Sequence, residues 1–191
     1  MFTRPTRSRL TAAAFSALLA LAGSTAALAA TQGSPGTTSN GSVTINASIA
    51  ARVSISNLTD VTFADTDLAP VLGAGTSAQK MESVCVWSNN ADRSYFITAT
   101  GSGTSNAFTL ASGGNPVIPY SVAWNQLTAQ TTGTALTAAT KSAKFTSTAL
   151  LTNCGGGASA TLLVSILGTD ASTMLAGAAY TGTLTLLVSP T

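Results

Sequence analysis

The chain contains no histidine. That absence excludes Ser-His-Asp and Cys-His nucleophilic catalysis and removes the commonest metal ligand. Charge is scarce too, because eight basic and six acidic residues make up only 7% of 191 positions. Cysteine is limited to Cys85 and Cys154, too far apart for a Cys-x-x-Cys redox pair. No Gly-Lys-Ser/Thr follows a glycine turn, and no Gly-x-Gly-x-x-Gly opens a plausible helix, so the glycine-rich stretches read as turns and not phosphate cradles. The closest acid pair, Asp65-Thr-Asp67, could in principle hold a cation or flank a glycosidic bond. It lacks the spacing of a calcium loop and reads as part of a solvated loop. The expectation is a protein that is not an enzyme, with no catalytic residue, no metal and no cofactor.

A long apolar run occurs only at the start. Arg4, Arg7 and Arg9 precede the run Thr11–Ala22, and Ala27-Leu28-Ala29 then places small residues where signal peptidase needs them. Residues 1–29 are therefore expected to be a secretory signal peptide; the run is well short of the roughly 20 residues that span a bilayer. Cleavage before Ala30 removes three of the eight basic residues. Arg52, Lys80, Arg93, Lys141 and Lys144 are left against six acids. The basic excess thus belongs to the discarded segment, and neither nucleic acid binding nor direct membrane insertion is expected of the remainder. Later apolar runs such as Thr161–Leu167 have the length of strands.

Ser, Thr, Gly and Ala dominate what remains. Residues 30–42 form a Gly/Ser/Thr/Pro leader, expected to be mobile. Behind it, in Gly41–Ile49, the residues Val43, Ile45, Ala47 and Ile49 alternate with small polar ones, which predicts a strand with one apolar face. The alternation continues through Val53 and Ile55. Further strands are predicted at Val61–Phe63, Met81–Trp87, Tyr95–Ala99, Tyr120–Trp124, Lys144–Thr148, Ala160–Leu167 and Tyr180–Val188. Turn-formers separate them, among them Ser88-Asn-Asn-Ala-Asp and Ser112-Gly-Gly-Asn-Pro. Leu136–Ala143 reads as a helical turn or a strand, and Asp170–Leu175 as a short helix. Seven or eight short strands at this spacing predict one all-β antiparallel sandwich over residues 43–191. Most of the aromatics fall in the predicted strands, where core packing outweighs a sugar-stacking platform. A chain so poor in charge suits a protein surrounded by its own copies, with a hydroxyl-rich secreted monomer as the alternative.

An exported chain with two cysteines is expected to join them. A Cys85–Cys154 bridge would close a loop of about 70 residues, which the chain-entropy model values at roughly 4 kcal/mol. An intermolecular bridge is the alternative. Three Asn-x-Ser/Thr sequons, at Asn40, Asn46 and Asn57, read as chance in so Ser/Thr-rich a chain.

Taken together, the export signal, the strand Val43–Ile49 running into Ala50-Ala-Arg-Val-Ser-Ile55, the segment Asp60-Val-Thr-Phe63, Ser83-Val-Cys-Val86, and the ending Ala176–Pro190 resemble the spore coat protein U family. That family includes pilins of the archaic chaperone–usher pathway. The resemblance covers most of the chain after the signal, and the ending is its best match. It implies an immunoglobulin-like antiparallel sandwich lacking its last strand, with a groove open along one edge. A periplasmic chaperone would fill that groove first. An outer-membrane usher would then exchange it for the N-terminal strand of the next subunit, which is β-strand addition between chains. Carried onto this chain, the donor positions are Val43, Ile45, Ala47 and Ile49, and the C-terminal strand carries Tyr180, Leu184, Leu186 and Val188. Many relatives place an early cysteine near where Val53 stands and pair it with the match of Cys85, so the bridge differs here. The resemblance implies a subunit of a pilus or fimbria, in the periplasm in transit and then at the cell surface, serving adhesion or biofilm formation beside neighbouring copies or related subunits.

Two other readings stay open. A self-contained secreted coat or binding domain would fold Val43–Ile49 into its own sheet. A carbohydrate-directed lectin or enzyme would need an open site with carboxylates or stacked aromatics, for which the acids are few.

Overall fold

The computed structural model describes residues 30–191, and the expected signal peptide lies outside the described residues. The chain divides after Ser48. In the first part the leader is not featureless: Thr31 and Ser42 exchange both backbone hydrogen bonds at 2.9 Å and close residues 31–42 into a loop. Within this chain no ladder covers Val43–Ser48. Alternation fixes which face of a segment is apolar, whereas a strand exists only where a neighbouring backbone accepts its hydrogen bonds.

The second part is a sandwich. Its strands are β1 (Val53–Ser56), β2 (Ser77–Ser88), β3 (Ser94–Gly101), β4 (Thr109–Leu110), β5 (Ile118–Pro119), β6 (Ser121–Asn125), β7 (Thr134–Ala135), β8 (Phe145–Thr146), β9 (Ala160–Leu167) and β10 (Leu184–Pro190). One sheet has the order β1-β2-β9-β6-β7, the other β10-β3-β8, and β4-β5 form a small ribbon. Every ladder is antiparallel, with Val53 opposite Ser88, Ser77 opposite Leu167, Ser121 opposite Ser165 and Leu184 opposite Gly101. The order β1-β2-β9-β6 reproduces the A-B-E-D sheet of an immunoglobulin-like sandwich, and β3 with β10 supply C and F. No described strand stands where G would pair with F.

Period-two patterning explains the core. Val84 and Val86 of β2, Tyr95, Ile97 and Ala99 of β3, and Val122 and Trp124 of β6 meet Leu162 and Val164 of β9 between the sheets. Trp124 is fully buried and its indole N–H donates to the Tyr95 hydroxyl at 3.0 Å. Burial pushes that hydroxyl up to about 12, with the bond from Trp124 acting the other way. Phe145 packs 6.0 Å from the Tyr95 ring. These rings fill the core and build no platform.

Cys85 is joined to Cys154, tying the centre of β2 to the turn that leads into β9. The carboxamide of Asn153 accepts from the Gly155 N–H at 3.1 Å and shapes that turn.

Several predicted elements shift. Val61–Phe63 belongs to no strand, and Lys144–Thr148 contracts to β8. The last strand begins at Leu184, which leaves Tyr180 outside it because Thr181 is held by backbone bonds to Ala111. Leu136–Ala143 is neither helix nor strand. Asp65–Leu68 forms one helical turn, α1, where a loop was predicted, and a second turn, α2, spans Gly168–Ala171.

Candidate functional site

The position left vacant beside β10 is a groove of about 800 Å³. Its floor comes from β9, where Leu162, Val164 and Ile166 share one face at a spacing of roughly 7 Å, set by the strand's rise of about 3.3 Å per residue. Tyr120, Leu110 and Met174 extend the floor toward the second, smaller core around Ile118 and Ile166. Burial raises the Tyr120 phenol, which therefore stays neutral.

One wall is β10. Leu184 and Leu186 point inward and line the groove, while Thr185 and Leu187 face solvent. Along an edge strand every second residue turns its N–H and C=O away from the partner, so half of the backbone polar groups of β10 face the vacancy. Gly182 fixes the approach to this wall, because a Cβ there would lie 2.5 Å from the Thr109 carbonyl oxygen.

The opposite wall is residues 58–63. The β1–β2 ladder ends at Ser56 opposite Cys85; Asn57, with φ of +61°, turns the chain, and its carboxamide donates to the Gly157 carbonyl at 2.6 Å. From Leu58 to Phe63 no backbone group enters a backbone hydrogen bond among the described residues. Side chains hold the segment instead. The Thr59 hydroxyl donates to the Glu82 carboxylate, and Val61 and Phe63 pack onto the core. Just beyond, Asp67 accepts from Lys80 at 2.8 Å and from the Ala64 N–H at 2.8 Å, and the Lys80 bond is the main cause of its lowered pKa. Asp67 is therefore occupied in pinning the wall.

The groove is thus apolar along its floor and bordered on both sides by backbone without partners, with Asp60 as the one charged residue in its lining. Among the described residues no three acids or cysteines cluster as metal ligands.

The sequence-derived residues fall in different places. Leu184 and Leu186 line the groove, Val188 packs on the main core, and Tyr180 sits on the groove's rim, its hydroxyl accepting from the Leu175 N–H. Val43, Ile45 and Ile49 are 71%, 86% and 74% exposed, and Ala47 is exposed with them. Cys85 and Cys154 meet outside the groove. Sequence reasoning missed Leu58–Phe63 as a wall and β9 as the floor. The Leu162, Val164, Ile166 alternation was the available signal.

The fold is that of an immunoglobulin-like β-sandwich with one open edge. Among solved structures it matches a chain described with a chaperone–tip adhesin complex vital for synergistic activation of CFA/I fimbriae biogenesis, at a TM-score of 0.51 and 15% identity over 73% of this chain. That likeness is one of fold, and this chain spans 41% of that one. No protein-family model matches the chain, and no curated protein matches it in sequence.

Proposed function

We propose that this chain is a structural subunit of a bacterial pilus or fimbria of the spore coat protein U type, assembled by chaperone–usher donor-strand exchange and serving adhesion or biofilm formation. The observation that carries this reading is the groove: an apolar floor between two backbone edges that lack partners. Such a surface is an aggregation hazard unless a strand fills it. The occupant is the Val43–Ile49 segment of a neighbouring copy or related subunit. Its apolar residues recur with the same period of two as Leu162, Val164 and Ile166. Each large apolar side chain buried there contributes about 1.5 to 3 kcal/mol, and new backbone bonds add to that, so no covalent link between subunits is needed. Before assembly a periplasmic chaperone covers the groove, and an outer-membrane usher releases it.

Ile45→Asp tests the reading in cells that make the fibre. The variant is expected to be exported and to bind its chaperone, yet to form no fibres in electron micrographs, because a carboxylate cannot enter the apolar slot. Normal fibres would refute the donor assignment. A stable secreted monomer that unfolds when residues 30–50 are deleted would favour the self-contained alternative.

A further inference from the structure

Asn40 is the one asparagine among nine that precedes a glycine. Asn40 and Gly41 are both exposed, beside the Thr31–Ser42 pair that closes the leader loop. Among the described residues neither the Asn40 carboxamide nor the Gly41 N–H takes part in a hydrogen bond, while the carboxamides of Asn57, Asn89, Asn90, Asn125 and Asn153 are all engaged. Asn115 precedes a proline, which has no N–H to contribute.

We propose that Asn40 is a site of spontaneous, backbone-assisted deamidation. The deprotonated amide nitrogen of Gly41 attacks Cγ of Asn40. A C–N bond forms, the bond from Cγ to the side-chain nitrogen breaks, and ammonia leaves with the displaced proton, giving a five-membered succinimide. Water opens that ring at one carbonyl or the other, yielding aspartate or isoaspartate. Water is the only co-reactant. Glycine favours the step because it has no Cβ to obstruct the attacking nitrogen and leaves the backbone free to reach the cyclic geometry. The product carries a negative charge three residues before Val43, and the isoaspartate form also adds a methylene to the main chain there. The chain therefore holds a slow chemical timer immediately ahead of its exposed alternating segment, whether or not that segment enters a neighbour.

The test uses the full exported protein, aged in mildly alkaline buffer, with peptide mapping by mass spectrometry and labelling by an isoaspartyl methyltransferase. Residue 40 is expected to lose ammonia and accept the label, faster as pH rises, while Asn46, exposed but followed by alanine, stays intact. Gly41→Ala should slow the reaction by about tenfold or more, since a side chain at 41 hinders attack. A Cβ there would lie 3.0 Å from the Thr31 carbonyl oxygen, so Asn40→Gln serves as the second variant. It keeps the amide and should abolish the label, because the longer side chain cannot close the five-membered ring. An unchanged Asn40 after ageing, equal conversion at Asn46, or undiminished labelling of either variant would overturn the proposal.

Discussion

A second copy of Gly41–Ile49, appended after Thr191 through a short flexible linker, supplies a strand to the groove within one chain. β10 ends at Pro190, so the linker needs only to reverse direction for the added strand to run back along its free edge. The decisive comparison places aspartate at the appended equivalents of Ile45 and Asn46. Ile45 is 86% exposed in its own segment, so burying it removes nearly the whole side chain from water, worth about 2 kcal/mol. Aspartate at that position forfeits this and drives a carboxylate against a floor of Leu162, Val164 and Ile166, which costs several kcal/mol more. The sum is about 4 kcal/mol or greater, roughly a thousandfold in the docking equilibrium. Aspartate at the Asn46 equivalent faces solvent on the other side of the strand and should cost under about 0.5 kcal/mol. Urea unfolding followed by fluorescence, with buried Trp124 contributing to the signal, reads the stabilities. The unsubstituted fusion should raise the midpoint, the Asn46 variant should keep the gain, and the Ile45 variant should lose it. Equal effects of the two aspartates, or no gain from the fusion, would refute the reasoning, because it rests on the phase of a period-two strand in an apolar slot.

Two further outcomes concern the sandwich itself. Replacing Cys85 and Cys154 together by serine opens a loop spanning 69 residues and should lower stability by about 4 kcal/mol in the chain-entropy model, with either single variant as damaging as the other; urea midpoints of the exported protein measure this, and a free thiol in the untreated protein would contradict the bridge. Asp92 is held down to about 2, first by the Ser94 hydroxyl and then by Lys144 at 3.1 Å. Its folded value lies below its ordinary 3.8, so its contribution is present above about 4 and fades as pH falls toward 2. Asp92→Asn should flatten that part of the acid unfolding curve, and an unchanged acid limb would show that the pairing is inert.

Strand type and strand face were legible wherever a segment carries its own periodicity. Ala160–Leu167 appears with the boundaries its sequence predicts, and Met81–Trp87 and Tyr95–Ala99 grow only at their ends, because buried β-branched and aromatic runs bounded by turn residues leave few alternatives. Val61–Phe63 failed for the opposite reason. Its residues favour a strand, but Asn57 turns the chain off the ladder and no backbone lies alongside to complete it. Tyr180 was drawn into the last strand by its β propensity, yet the bridge from Thr181 to Ala111 holds that stretch elsewhere.

The sequence by itself determined the fold class, through alternation and turn spacing, and it excluded histidine-dependent chemistry through composition alone. It also determined that Val43, Ile45, Ala47 and Ile49 share one face. Only the tertiary structure decided that a strand position stands open and which residues border it. Its floor is β9, and its walls, residues 58–63 and β10, lie more than 120 residues apart in the chain. Local periodicity reports the face a residue presents; a vacancy is a relation among distant segments, and exists only once their backbones have been brought side by side.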